Sequence, residues 1–175
     1  MDRRTLRLTL HPFTAEEARR VIAGTPGPAD VWADGYPLED ERDPLRSFVA
    51  RVGTGAETHP FTLYALRERA TGRAIGGLGF YGPPDPRGVV TVGYGLVAVA
   101  RGHGFATEAV REALAIAWEA GARLVAADTA ADNVDSQRVL LRAGFREVRR
   151  TPESVFFESP ARKLHDSFPR RAQSV

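Results

Sequence analysis

The fold turns on one stretch, Arg101-Gly102-His103-Gly104-Phe105-Ala106-Thr107-Glu108-Ala109. Upstream of it, Val89 to Val97 reads as a strand. Downstream, Ala106, Ala109, Val110, Ala113, Ile116 and Ala117 form one apolar stripe on a helical wheel, opposite Glu108, Arg111, Glu112 and Glu119, in a helix from about Gly104 to Ala120 closed by Gly121. Strand, glycine turn and helix start in succession make an anion site. First-turn N–H groups lack partners, the helix dipole adds positive potential, and Gly102 and Gly104 let the backbone come close to a bulky phosphate. A diphosphate would fit. The dinucleotide fingerprint needs G-x-G-x-x-G inside a parallel β-α-β unit. Here Thr107 stands where the third glycine belongs and the preceding strand belongs to a hairpin sheet, so a nicotinamide site reads weakly. A tight glycine turn holding no ligand is the plain alternative.

Working outward, Leu6, Leu8 and Leu10 alternate with Arg7 and Thr9 as a half-buried first strand that ends at His11-Pro12. Thr14 before Ala15-Glu16-Glu17 signals a helix that runs to Gly24. Residues 24 to 44, with Trp32 and Tyr36, show no period and read as an irregular loop; a short helix follows from Pro44 to Val52. Phe61 to Leu66, Ala74 to Tyr81 and Val89 to Val97 read as three antiparallel strands, the first two a hairpin. After the long helix come a buried strand at Leu124 to Thr129, a helix at Val134 to Ala143, and strands at Phe145 to Val148 and Val155 to Phe157. The order β-α-α-β-β-β-α-β-α-β-β implies an α/β (α+β) domain, a mixed sheet with helices on it, over residues 1–160. Residues 161–175 read as a basic tail with little periodicity, expected to order poorly.

Composition narrows function. The 175 residues carry 43% apolar and 26% charged side chains, enough for one domain that buries roughly 70% of its unfolded surface. Net charge is only +2, and Arg162, Lys163, Arg170 and Arg171 lie in the tail against Asp166, so the body is about neutral. A general nucleic-acid surface needs clustered positive charge and is not expected. With no cysteine, disulfides, thiolate metal sites and a cysteine nucleophile are excluded. His11, His59, His103 and His165 are too scattered for a metal site. Neither a signal sequence nor a membrane span is legible, and a cytoplasmic protein is expected.

A second segment, Asp132-Asn133-Val134-Asp135-Ser136-Gln137-Arg138, leads into Ala143-Gly144-Phe145. Arg-x-x-Gly-x-Ala at 101–106 running into Thr-Glu-Ala, followed some thirty residues later by Asn-x-x-Ser-x-Arg and Ala-Gly-Phe, resembles the GNAT superfamily of acetyl-CoA-dependent N-acetyltransferases. Within it, the chain looks most like the branch holding the ribosomal-protein N-terminal acetyltransferases. The resemblance spans about residues 4 to 158. It implies a mostly antiparallel sheet of about seven strands with helices on both faces. A V-shaped split would lie between the fourth and fifth strands, Val89 to Val97 and Leu124 to Thr129.

What the resemblance implies for the site follows. The pantetheine arm of acetyl-CoA would lie in the V along Leu96 and Val97, with the Leu96 N–H as oxyanion donor. Arg101, Gly102, His103, Gly104, Phe105, Ala106 and Thr107 would hold the pyrophosphate, His103 being solvated or a phosphate neighbour. Asn133 would bond the arm and Ser136 would protonate the departing thiolate; as plain alternatives, Asn133 caps the last helix and Ser136 is a first-turn residue. Asp128, on the strand facing the V, is the first choice of general base, with Tyr94 opposite it, or water relayed from Glu39 or Asp40, as others. Val97-Ala98-Val99-Ala100 departs from the branch, which more often shows proline and polar residues there, so the entry to the turn is expected to differ. Trp32 and Tyr36, in the acidic loop reaching Asp43, would line an acceptor pocket or pack as satellite core, and Tyr94 and Asp128 would face the acceptor. The acceptor would be a small-molecule amine or a protein N-terminus, with no metal, nucleic acid or membrane involved and the protein a monomer or homodimer. A CoA-binding sensor without turnover, and a phosphate- or nucleotide-binding regulator without CoA, are the readings from other classes.

Overall fold

The computed structural model describes residues 1–55 and 59–161. In chain order it holds β1 (Arg3–Arg4), β2 (Leu8–Pro12), α1 (Ala15–Ala23), α2 (Arg42–Gly53), β3 (Leu63–Glu68), β4 (Ala74–Phe80) and β5 (Val89–Leu96). Then follow α3 (Phe105–Glu119), β6 (Leu124–Ala130), α4 (Val134–Ala143), β7 (Arg146–Arg150) and β8 (Ser154–Pro160). One eight-stranded sheet runs β1-β2-β3-β4-β5-β6-β8-β7. Every neighbouring pair is antiparallel except β5 with β6.

That parallel pair sets up the site. It covers only Val89 to Thr91 against Leu124 to Ala126, after which the strands part and leave the second half of β5 with an open edge. A crossover through α3 is what a parallel pair requires. Successive strand residues face opposite sides, and β5 shows both. A Cβ on Gly95 would stand 2.8 Å from Leu38, which lies just before α2, whereas the Tyr94 hydroxyl meets Ser136 at the start of α4. Helices therefore cover both faces: α1 and α2 packed together on one, α4 with its neighbour α3 on the other.

One core joins the layers. Leu8, Leu10, Leu66, Phe80, Val92, Val110, Val125 and Phe157 are fully buried, and each such side chain contributes about 1.5–3 kcal/mol on leaving water. Helix ends follow local chemistry. Thr14 and Glu17 form a reciprocal cap on α1, and Gly24 and Gly144 close α1 and α4 in the left-handed region.

Three differences from the sequence reading have physical causes. The first strand splits: Leu6 is exposed, and a turn bonded Thr5 to Leu8 creates β1 and so an eighth strand. The end of the irregular loop is a short 3-10 turn, Glu39–Glu41, that runs into α2 two residues before Pro44. The last strand continues through Ser159 to Pro160 because β6 offers it pairing as far as Leu124, and Ala161 N–H then reaches Arg123 O at 2.9 Å. The rest of the basic tail, 162–175, lies outside the described residues. Among the described residues no helix is long and apolar enough to cross a membrane, and no group of His, Asp or Glu is placed to hold a metal ion.

Candidate active site

Antiparallel pairing decides what β5 offers to the open edge. Tyr81 N–H donates to Thr91 O at 3.0 Å and Val97 N–H to Ile75 O at 2.9 Å. Bonded and unbonded positions alternate along such a ladder, so Thr91, Gly93, Gly95 and Val97 spend their amides on β4. Val92, Tyr94 and Leu96 turn theirs the other way, towards the gap where β6 has diverged. The Leu96 carbonyl on this edge accepts the Arg101 Nε–H at 3.0 Å, which fixes the entry to the glycine turn. Val97, expected along the cofactor arm, instead packs in the core with its amide engaged, because the ladder alternation directs it inward.

The turn itself is a ring of free donors. Gly102 and Gly104 have φ of +79° and +81°, and Gly104 caps α3 without any side-chain bond. Among the described residues, the amides of Gly102 to Thr107 have no acceptor. Arg7 braces the turn from outside. It pairs with Glu108 at 2.8 Å, donates to His103 O at 2.8 Å and lies 4.7 Å over the Phe105 ring. A cavity of about 430 Å³ follows, lined by Leu96, Arg101, Gly102, Gly104, Phe105, Ala106, Thr107, Asn133 and Ser136. His103, read as solvated or a phosphate neighbour, is exposed and lies outside that lining.

Sequence reasoning missed Arg138, Val139 and Arg142 in this cleft. Their signal was helical spacing from Asp135 on α4, at three, four and seven residues, which brings Arg138 and Arg142 to the same cleft.

Asn133 caps α4 through Oδ1, 3.1 Å from Ser136 N–H, and still lines the cleft. The Ser136 hydroxyl is 2.8 Å from the Tyr94 hydroxyl. Burial pushes the Tyr94 phenol above its ordinary value, against the opposing pull of that bond. Asp128 stands apart: it is exposed on β6, opposite Phe156, and lines neither this cavity nor the next. Alternation explains this, since Val125 and Ala127 take the buried positions of β6.

A second cavity of about 170 Å³ adjoins the first and shares Asp40, Tyr94 and Gly95 with it. Its floor is glycine. Gly77 pairs with Gly95 and Gly79 with Gly93, so four positions on one face of β4 and β5 carry no side chain. Walls come from Phe13, Pro44, Leu45, Leu63 and Tyr81, together with Glu41. Any Cβ on Gly77 would collide with Glu41 Oε1, so the carboxylate lies directly on this floor. Trp32 and Tyr36 are not in these walls; they meet edge to face at 5.4 Å and pack against the core under the loop.

Comparison with known proteins agrees with this architecture. Residues 7–146 match the Acetyltransferase (GNAT) domain family. An acetyltransferase of the GNAT family from Bacillus anthracis is 18% identical, with 91% of this chain and 98% of that one covered at a TM-score of 0.65. The ribosomal-protein-S5-alanine acetyltransferase of Vibrio fischeri is 14% identical, covering 97% and 100% at 0.64. Mycobacterium smegmatis RimJ, in complex with CoA-disulfide, is 16% identical, covering 90% and 84% at 0.65. No curated protein matches the sequence.

Proposed function

Because the chain belongs to the GNAT acetyltransferase family, we propose that it transfers the acetyl group of acetyl-CoA to a primary amine by direct attack, without an acyl-enzyme. One observation carries this reading: the unpaired edge of β5 leads from Leu96 straight into a turn whose amides, Gly102 to Thr107, have no acceptor. A long thiol cofactor with a diphosphate needs both features, an edge to lie along and donors to end on. The solved RimJ complex with CoA-disulfide supports the same ligand class.

Each residue then has a task. Arg101 to Thr107 hold the diphosphate, with Arg138 and Arg142 adding positive charge at the cleft. Asn133 bonds the arm with the part of its amide that the helix cap leaves free. The Leu96 N–H donates to the thioester oxygen, where charge grows during attack. Ser136 hands a proton to the departing sulfur, whose thiol pKa near ~8.5 makes protonation useful. Tyr94 holds the serine hydroxyl in place and exchanges protons with it. Acetyl-CoA supplies the activated acyl group; the absence of cysteine from the chain leaves transfer to the amine itself as the simplest route.

Calorimetry with acetyl-CoA, followed by thiol release on addition of amines, tests the proposal. Binding with turnover supports it. Binding without transfer to any of a broad amine panel would favour a CoA sensor, and tight binding of adenosine phosphates without acetyl-CoA binding would favour a nucleotide regulator.

A further inference from the structure

Glu41 is the feature the reaction above leaves unused. It stands at the junction of the 3-10 turn and α2, over Gly77, in the cavity that adjoins the cofactor cleft. Among the described residues, neither of its buried carboxylate oxygens has a hydrogen-bond partner, nor does the buried Tyr36 hydroxyl. A buried carboxylate with no partner is costly and needs an explanation. Among the described residues, the chamber lining holds Asp40, Glu41, Tyr64, Tyr81 and Tyr94, and no arginine, lysine or histidine.

From this geometry we infer that Glu41 binds and deprotonates the acceptor, and that the acceptor is a primary amine on a small apolar body with no carboxylate beside the nitrogen. The inference rests on the transferase reading above. An ammonium entering the chamber supplies the partner that both Glu41 oxygens lack. A free amino acid brings a second charge, a carboxylate, which would lie against Asp40 and Glu41 with no cation in the walls to receive it. The cavity of about 170 Å³ is well below the ~300–1,000 Å³ of drug-sized sites, which suits a single side chain or a short alkyl group. The missing side chains at Gly77, Gly79, Gly93 and Gly95 let Glu41, Leu63, Tyr81 and Leu38 come down onto the sheet, and the acceptor body packs among these side chains next to Gly95 and Tyr94, where the two cavities meet.

The proton balance is complete. The ammonium gives one proton to Glu41, and the freed nitrogen pair forms the bond to the acetyl carbon. When the carbon–sulfur bond breaks, its pair stays on sulfur. The second nitrogen proton replaces the one that Ser136 delivers to sulfur, and Glu41 returns its own proton to water. Burial, with repulsion from Asp40, pushes the Glu41 carboxyl up to about 8, opposed by the nearby Leu38 backbone and Tyr36 hydroxyl, neither of which reaches hydrogen-bond geometry with it. The other titratable groups of the chamber are its phenols; Arg42, next in the chain, sends its guanidinium towards Glu39 and Gly24 instead. A base in this range accepts a proton from an ammonium far more readily than an ordinary glutamate does.

The test uses leucinamide, isoamylamine, a leucine-led tripeptide amide and free leucine with acetyl-CoA. Leucinamide and isoamylamine should be acetylated, with kcat/KM for free leucine at least about tenfold lower; the tripeptide amide then separates a peptide source from a small-amine source. Glu41→Gln should lower kcat/KM for leucinamide about 100-fold, leave acetyl-CoA affinity within twofold and raise Tm. If wild type fails to bind acetyl-CoA, the transferase reading falls and takes this one with it. If it binds, then full leucinamide turnover in Glu41→Gln, or preference for free leucine, or no turnover of any of the four amines, overturns the Glu41 assignment alone.

Discussion

Replacing Gly102 by Asn and by Asp separates backbone strain from charge at the glycine turn. A Cβ there meets nothing within 4 Å, so only the left-handed conformation at φ +79° opposes substitution. Asn and Asp tolerate that region best among side-chain-bearing residues, at a cost of about 1 kcal/mol. For a domain of this size, that lowers Tm by roughly 2–4 °C in both variants. The charge acts on the ligand. An added carboxylate ~6 Å from a diphosphate bearing about two charges costs roughly 1.4–2.8 kcal/mol at an effective dielectric of ~40–80. The Asp variant should therefore bind CoA about 10–100-fold more weakly than the Asn variant. Calorimetric Kd values at low salt read that ratio directly, and at ~1 M salt, where the Debye length is ~3 Å, it should shrink towards one. Equal affinity of the two variants at low salt would refute the placement of a diphosphate on these amides.

Other measurements probe the remaining groups. Ser136→Ala should lower kcat about 10–100-fold with the acetyl-CoA Kd within about twofold; unchanged turnover would remove the serine as acid. Tyr94→Phe, which loses the 2.8 Å bond to Ser136, should cost about 1 kcal/mol in stability and slow transfer several-fold, and a variant as fast as wild type would show the phenol to be structural only. Since the Glu41 carboxyl lies at about 8 when folded, above its unfolded value of 4.5, the folded state binds the extra proton, and its contribution to stability falls as pH rises between those values. Urea titrations of Glu41→Gln should then show a gain of order 2–4 kcal/mol at pH 8 that vanishes near pH 4; a constant gain across that range would contradict it. Burial opposes ionisation of Glu108, but bonds from Thr5 and Arg7 outweigh it and hold its carboxyl below the usual range. Its stabilisation is present above the unfolded pKa and lost on acidification through the folded one, so Glu108→Gln should lower Tm at pH 7 and approach wild type in acid.

Sequence alone determined the order of the elements, the long helix, the glycine turn and the cap at Asn133. Each of these follows from local chemistry: period-two or helical spacing, glycines required at positive φ, an Asn three residues before the amide it receives. The two cleft-forming motifs, at 101–109 and 132–145, were legible for the same reason. What depended on pairing between distant strands was not. Val97 and Leu96 look alike in a row of small apolar residues, and only the ladder from Tyr81–Thr91 to Ile75–Val97 decides which amide faces the gap. Asp128 was expected on the strand facing the V, but alternation leaves its direction open, and only packing shows it exposed and outside both cavities. Glu41 stood unremarked among Glu39, Asp40 and Asp43. An acidic loop near the acceptor attracts an amine as a whole, but which of its carboxylates is buried over the sheet's glycines, and so differs in charge and neighbours, is a property of packing across the chain.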